Sequence, residues 1–349
     1  MAERSSRYPE FTAAGAPREL GRSIGEQLGE QIRAFCDIAL AQVNRTMRVS
    51  RENAYRVVRD AIPLAEQYAP HMVEELRGTA EAARVSLDDM LLLQVRNQLQ
   101  ADDAGCTSIS VRGGERSIVA QNWDNDPALD PFTVVLTRRP VGKPALTTVT
   151  QAGLIAYIGF NDAGIGLCLN TLPAPSRTHG VPHYFTVRGI YESDSLDGAV
   201  RAVQRAARAI PANIMLTTPQ GPADLEVTID GVRVLSDAAN RQVTHTNHCR
   251  HPDLLAINDQ FPELIGSRSR QSRVDEVLNA GGDDLARVQS ALRDHDGHPR
   301  SICRHTNDDP AHGHWCTVFS AIIEPAAHRM WLTRGTPCDR EYECYEMQH

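Results

Sequence analysis

The stretch DDAGCTSIS, residues 102–110, divides the chain into two parts with different sequence patterns. Before it, apolar residues recur at helical spacing, as with Leu20, Ile24 and Leu28, and the first hundred residues therefore predict helices. After it, short β-rich runs alternate with turn sequences. The change of pattern just before Cys106 predicts a helical segment followed by a sheet-forming segment.

The downstream part predicts several β-hairpins. The strongest turn signal is Asp230-Gly231, which lies between the β-rich runs 225–229 and 232–235. Gly113-Gly114 predicts a second tight turn. The other β-rich runs cover residues 107–112, 117–124, 132–137, 146–150, 154–160, 165–170, 315–323 and 328–333, and helical patterns are confined to about 184–208 and 268–293.

This order of elements predicts the fold class. Helices come first, hairpins follow, and the remaining helices lie between sheet segments, which is not the βαβ alternation of a doubly wound parallel sheet. We therefore expect an α+β sandwich of antiparallel sheets stacked face to face, with helices outside. A chain of 349 residues can form such an architecture around one core.

Composition and charge limit the kinds of molecule that the protein is expected to bind. The formal net charge of −8 argues against nucleic acid, because phosphate binding needs a basic face. The N-terminal sequence lacks the apolar core of a signal peptide, and no apolar run is long enough to span a bilayer. Eight cysteines occur without a Cys-x-x-Cys pair, which favours reduced thiols. We expect a cytoplasmic protein that binds neither nucleic acid nor membrane.

One junction and the strand after it form a specific pattern. Gly105-Cys106-Thr107 is followed by Gln121-Asn122-Trp123-Asp124, and the two segments resemble the acyl-coenzyme A:6-aminopenicillanate acyltransferase family of N-terminal-nucleophile hydrolases. Further stretches that match the family in its order are residues 19–29, 152–155, 159–166, 170–172, 244–248, 267–273 and 301–305.

The resemblance implies a fold and a maturation step. The fold would be a four-layer αββα sandwich, and the chain would cleave itself between Gly105 and Cys106. Residues 1–105 would form a helical α-chain that stays bound, and residues 106–349 would form the catalytic β-chain. The two chains together would make one folded domain.

The chemistry of such a junction follows from ordinary thiol reactivity. Glycine before the scissile bond tolerates unusual backbone geometry. The Cys106 thiol can attack the Gly105 carbonyl, and water can then hydrolyse the thioester. Cleavage frees the Cys106 α-amino group, whose pKa of about 7.7–8.0 suits it to accept the thiol proton. No histidine is required as the base.

The resemblance also implies roles for other residues. Asn247 would stabilise the oxyanion through its side-chain amide, and Asp124 would orient the new amino group or assist cleavage. Thr107, Thr317 and Trp123 are weaker candidates for supporting or binding the substrate. Taken alone, Asn247 could instead cap a turn, and Asp124 could end a strand before Asp126-Pro127.

Other chemistries have less support in the sequence. Imidazoles at His295, His298, His305, His312 and His314, or at His245, His248 and His251, could bind a metal, but no standard ligand spacing is present. We therefore expect no metal and no cofactor. A papain-like enzyme would need a helix to begin at Cys106, where a strand is predicted. Phosphate-loop and dinucleotide fingerprints are missing.

The sequence thus predicts an amidohydrolase of secondary metabolism that cleaves an N-acyl or aminoacyl amide of a small metabolite through a Cys106 thioester. Acyl transfer to an amine is the alternative. A third reading is a binding protein on the same scaffold that never cleaves. The expected partners are a small amide or peptide-like molecule and the two chains of the same precursor, and a higher oligomer is compatible with the sequence.

Overall fold

The computed structural model of the protein describes residues 6–44, 47–99, 105–113, 116–236, 241–280, 282–310 and 313–347. None of the helices in these ranges combines the length and the apolarity needed to cross a membrane. The α-helices of these ranges are α1 (Pro17–Val43), α2 (Arg51–Tyr68), α3 (Pro70–Ala83), α4 (Leu87–Val95), α5 (His183–Tyr191), α6 (Leu196–Gln204), α7 (Ser267–Asn279) and α8 (Asp284–Leu292).

The larger sheet has eight strands. Its order is β1-β4-β5-β6-β7-β8-β9-β10, and neighbouring strands are antiparallel except for the parallel pair of β1 and β4. The strands are β1 (Glu10–Gly15), β4 (Thr133–Pro140), β5 (Leu146–Gln151), β6 (Ile158–Asn161), β7 (Gly166–Asn170), β8 (Ala212–Thr218), β9 (Gly221–Val227) and β10 (Val232–Leu235).

The smaller sheet has six strands and is antiparallel throughout. Its order is β11-β2-β3-β12-β13-β14. The strands are β2 (Cys106–Gly113), β3 (Arg116–Asn125), β11 (Gln242–His245), β12 (Cys316–Glu324), β13 (Arg329–Arg334) and β14 (Glu343–Glu346).

Side-chain alternation along the strands builds the layers. On β2, Ile109 and Val111 pack in a cluster with Val274 of α7 and Val288 of α8, outside the six-stranded sheet. The other face of this sheet packs on the eight-stranded sheet, whose far side is covered by the helices α1 to α6 in one continuous core. The four layers are therefore helix, sheet, sheet and helix, and the predicted α+β sandwich is confirmed.

The structure differs from the sequence prediction in several elements. The first hundred residues contain β1 as well as helices, because this short segment completes the edge of a sheet by pairing with β4. The predicted run 154–160 is shortened to β6, since Gly153 has a φ of +96° and the chain turns there. The strands β8, β11 and β14 were not predicted. Gly114, in the expected turn Gly113-Gly114, lies outside the described residues.

Candidate active site

The strand register brings the candidate residues to one end of the six-stranded sheet. Cys106 opens β2 and pairs with Trp123 of β3, while Ser108 pairs with His245 at the end of β11. Extending these two registers places Asp124 opposite Gly105, and Asn247 opposite Cys106. The Cys106 backbone N–H donates a hydrogen bond to Asn247 Oδ1 at 2.9 Å, consistent with that extension.

Cys106 is buried, with 3% of its surface exposed, and it begins a strand rather than a helix, as the sequence predicts. Its cross-strand neighbour Trp123 stacks on Phe319 with 4.9 Å between ring centroids. Trp123 also meets Tyr157 edge to face at 5.8 Å. The candidate nucleophile therefore lies beside an aromatic cluster between the two sheets.

The side chain of Asn247 is held in one orientation. Its Oδ1 accepts hydrogen bonds from the Cys106 N–H and from the Arg270 guanidinium, at 2.9 and 2.7 Å. Its Nδ2 donates to the Thr171 carbonyl oxygen at 3.0 Å. Two donors on one side and an acceptor on the other determine which end of the amide is oxygen. The Asn247 backbone N–H donates to Ser267 Oγ at 2.8 Å, which anchors the loop to the start of α7.

Arg270 is the residue of this site that sequence reasoning missed. It lies on α7 with 2% of its surface exposed, and it donates to the Cys106 carbonyl oxygen at 2.6 Å and to Thr107 Oγ1 at 3.0 Å. Burial lowers the pKa of its guanidinium, and the nearby Asp124 carboxyl opposes that effect. The segment 267–273 matched the family pattern, but neighbouring arginines at 268 and 273 gave no signal that only this one is buried.

Asp124 combines burial with an incomplete set of hydrogen bonds. Its Oδ1 accepts a hydrogen bond from Thr317 Oγ1 at 2.7 Å, whereas Oδ2 has no hydrogen-bond partner among the described residues. Burial raises the pKa of this carboxyl to about 7, against the opposing effects of Thr317, Arg270 and Arg304. Thr317 is held in turn by the Arg304 backbone N–H, which donates to its Oγ1 at 3.0 Å. A carboxyl with this pKa can donate or accept a proton near neutral pH.

Gly105 lies close to several side chains of the site. The backbone φ of Gly105 lies outside the left-handed region, so the unusual backbone geometry expected from the sequence is not what requires glycine. A Cβ at this position would lie 3.3 Å from Ile265 Cδ1, which is tighter than ordinary contact, and 3.5 Å from Asp124 Oδ2. Both neighbours are the ends of side chains, and the second shows that the buried Asp124 carboxyl lies close to the backbone next to Cys106.

Two histidines lie close to Asn247 in the chain, His245 at the end of β11 and His248 in the loop after it. His245 Nε2 pairs with Glu226 at 2.8 Å, and both side chains are buried. His248 Nδ1 lies 2.7 Å from Ser267 Oγ, and burial lowers the pKa of its imidazole to about 4, which keeps it neutral. Both imidazoles thus have structural partners that shape the end of β11.

Similar proteins were found at the level of sequence and of structure. The chain is 26% identical over 337 residues to the 40 kDa form of acyl-coenzyme A:6-aminopenicillanic-acid-acyltransferase from Emericella nidulans, covering 93% of this chain and 92% of the relative. Penicillin V acylase from Agrobacterium tumefaciens aligns with a TM-score of 0.47 and 12% identity, covering 69% of this chain and 86% of its own. A mutant conjugated bile acid hydrolase from Clostridium perfringens aligns with a TM-score of 0.44 and 9% identity, covering 70% and 97%.

A family model gives the assignment. The model described as acyl-coenzyme A:6-aminopenicillanic acid acyl-transferase matches residues 111–339, which is well over half of the 349 residues. The resemblance seen in the sequence is confirmed by this match. The chain therefore belongs to the acyl-coenzyme A:6-aminopenicillanic acid acyl-transferase family and is an enzyme of amide-bond cleavage or acyl transfer.

Proposed function

We propose that the chain is an amidohydrolase that activates itself by cleavage between Gly105 and Cys106, and that Cys106 then attacks an N-acyl or aminoacyl amide of a small metabolite. One observation carries the proposal. Asn247, Arg270 and Asp124, from three separate elements, all converge on the backbone around Gly105 and Cys106. Such a concentration of polar groups on one peptide link favours chemistry at that link.

In the cleavage step, Cys106 Sγ adds to the Gly105 carbonyl carbon, and the bond from that carbon to the Cys106 nitrogen breaks. The product is a thioester between Gly105 and Cys106 Sγ, which water hydrolyses to a Gly105 carboxylate and a free thiol. The proton from the thiol has to reach the departing nitrogen. Asp124, whose buried Oδ2 has no hydrogen-bond partner in the described part of the chain and whose pKa is about 7, is suited to carry it.

In the turnover step, the freed α-amino group of Cys106 acts as the base for its own thiol. Asn247 Oδ1 already accepts from this nitrogen and would hold the amine in place. The amide nitrogen of Asn247 has two hydrogens, of which one goes to Thr171. The second would donate to the oxyanion of the substrate, and loss of one such donor typically slows a reaction by about 10²–10³.

The surroundings of Cys106 suit an acyl group with apolar surface. Trp123 and Tyr157 form an aromatic contact next to the nucleophile, and such rings provide large apolar contact areas. Hydrolysis requires water at the thioester, whereas acyl transfer requires an amine acceptor. The name of the Emericella nidulans relative supports transfer as the alternative. Adding an amine acceptor to the assay and measuring the ratio of acid to amide product distinguishes the two.

The two chains would remain one molecule after cleavage. Residues 1–105 supply β1, which pairs with β4 of the 106–349 part, and they supply α1 to α4 of the main core. The reducing conditions of the cytoplasm, which we propose as the site of action, would keep the Cys106 thiol reactive.

The test is intact mass together with N-terminal sequencing of freshly purified protein. We expect two polypeptides, residues 1–105 and 106–349, with the second beginning Cys-Thr-Ser. Cys106→Ala should give one uncut chain without turnover, and Cys106→Ser should be cut far more slowly, because an alcohol is a weaker nucleophile than a thiol. Wild-type protein that stays uncut and leaves Cys106 unlabelled by a thiol-reactive probe would instead indicate a binding protein.

A further inference from the structure

A second cluster of chemically reactive side chains lies near the C-terminal part of the six-stranded sheet. It comprises His295, Cys303, His305 and Cys338, whose ligand atoms all lie within 4.8 Å of one another. His295 Nε2 is 3.0 Å from His305 Nε2. His305 Nε2 is 3.3 Å from Cys338 Sγ and 3.9 Å from Cys303 Sγ. The proposed reaction at Cys106 assigns no role to any of these four side chains.

The spacing and chemistry of the four ligand atoms match one kind of metal site. Zinc bonds of about 2.0–2.3 Å in a tetrahedral arrangement put ligand atoms about 3.3–3.8 Å apart, close to the distances in this cluster. Two thiolates and two neutral imidazoles balance the double charge of the ion. Four protein ligands leave no position for water, which is typical of structural rather than catalytic zinc. We propose that His295, Cys303, His305 and Cys338 bind one structural zinc ion.

The backbone around the ligands is held in place by other contacts. The Cys303 N–H donates to the Asp294 carbonyl oxygen at 2.9 Å, which joins the segments that carry Cys303 and His295. Arg293 Nε donates to the Pro337 carbonyl oxygen at 2.8 Å, which fixes the turn next to Cys338. The ligands therefore come from three segments that are also joined by hydrogen bonds outside the cluster, as a selective site requires.

Solvent would reach the proposed zinc site, and the bound ion would stabilise the segment that contains Arg304. His295 and Cys338 are exposed and Cys303 is buried, so an ion can enter from solvent and reach the interior end of the cluster. Arg304 lies between two of the ligands, and its backbone N–H and carbonyl oxygen both pair with Thr317. Zinc would thus stabilise the segment that positions Thr317 against Asp124.

The proposed ligand set differs from the groups of imidazoles that the sequence suggested, and it has no standard spacing. Cys303 and His305 are separated by one residue, whereas Cys338 comes from a turn beyond two strands. Only the tertiary fold brings His295 and Cys338 to this pair.

The first measurement is the metal content of full-length Cys106→Ala protein purified without chelator. This variant removes the active-site thiol and does not depend on the proposed cleavage. We expect about one zinc per chain. Replacing zinc by Co²⁺ should give the visible and near-ultraviolet bands of tetrahedral cobalt bound to thiolate. Chelation should lower the midpoint of thermal unfolding, and added Zn²⁺ should restore it.

Single-residue variants test which side chains bind the ion. His295→Ala and Cys338→Ser, both at exposed positions, should each weaken zinc binding by about tenfold or more. Cys338→Ser should in addition weaken the cobalt–thiolate bands, because it removes one of the two thiolates. His298→Ala, in the same loop as His295, and Cys344→Ser, on β14, should bind zinc like the parent. Protein without metal in which Cys303 and Cys338 form a disulfide would overturn the proposal. So would equal zinc binding by the ligand and control variants.

Discussion

At the scale of single residues, hydrogen bonds hold both the backbone N–H and the backbone carbonyl oxygen of Cys106. Asn247 accepts from the Cys106 N–H, and Arg270 donates to the Cys106 carbonyl oxygen. Arg270 also donates to Asn247 Oδ1, so the three groups form one closed network. Loss of Arg270 would remove a donor from the buried Cys106 carbonyl oxygen and one of the two donors from Asn247 Oδ1.

At this scale, the pKa of Asp124 leads to a prediction about stability. Burial raises the pKa of this carboxyl from 3.8 to about 7, so the folded protein binds its proton more tightly than the unfolded chain does. The resulting stabilisation is fully present below the unfolded value and is lost as the pH rises to about 7. Asp124→Asn should remove this dependence.

The measurement compares the free energy of unfolding of Cys106→Ala with that of Cys106→Ala combined with Asp124→Asn. Between about pH 5 and about pH 8, the parent should lose about 2–3 kcal/mol more than the double variant. Burial also raises the pKa of Asp224 to about 7. Because Asp224 is present in both proteins, its contribution to the pH dependence cancels in the comparison. Identical pH dependence of the two proteins would mean that Asp124 ionises at an ordinary pH.

At the scale of elements, the packing of α1 against α3 depends on glycine. A Cβ at Gly21 would lie 1.8 Å from the Glu75 carbonyl oxygen, and a Cβ at Gly78 would lie 2.2 Å from that of Arg18. The two backbones therefore approach more closely than any larger residue allows. This contact places Glu75 where it pairs with the buried Arg138 of β4 at 2.8 Å.

This close approach predicts a difference between two glycines of the same helix. Gly21→Ala should lower the free energy of unfolding by about 1–3 kcal/mol, because the helices must separate. Gly29→Ala is the matched control, since its nearest contact would be the flexible end of Arg33 at 3.2 Å. The control should be neutral or should stabilise the helix by up to about 1 kcal/mol. Chemical denaturation of both variants tests this, and equal midpoints would contradict it.

At the scale of the whole molecule, residues 1–105 and residues 106–349 share one sheet and one core. β1 comes from the first part and lies at the edge of the eight-stranded sheet, while α1 to α4 cover that sheet. Many buried apolar residues of the first part, among them Leu28, Ile32 and Phe35, belong to this core. Separation of the two parts would expose this surface to water.

We therefore expect the cleaved wild-type protein to elute from a sizing column as one species, at the volume of the uncut Cys106→Ala protein. The fragments 1–105 and 106–349 should separate only in denaturant. The shared core gives this expectation, because its apolar area stays buried whether or not the peptide bond is intact. Loss of the smaller fragment under native conditions would show that the helical part does not stay bound after cleavage.

The amino-acid sequence alone determined most of the elements and their order, although β1, β8, β11 and β14 were not predicted. Hairpin signals such as Asp230-Gly231 and the helical pattern of 268–293 depend on residues close together in the chain, and both were recovered in the structure. The fold class followed from that order. The resemblance of the junction at Cys106 and of Gln121 to Asp124 added the family, which the family model confirmed.

Only the tertiary structure decided which polar residues meet. Asn247 reaches Cys106 through the register of two strands that are distant in the chain, and Arg270 becomes buried only because α7 packs against β2. The cluster of His295 and Cys338 likewise joins the segment after α8 to the segment after β13. Hydrogen-bond register and helix docking join residues far apart in the chain, so local patterns cannot encode them. The arrangement of the site is therefore a property of the fold, while the sequence supplies its residue types.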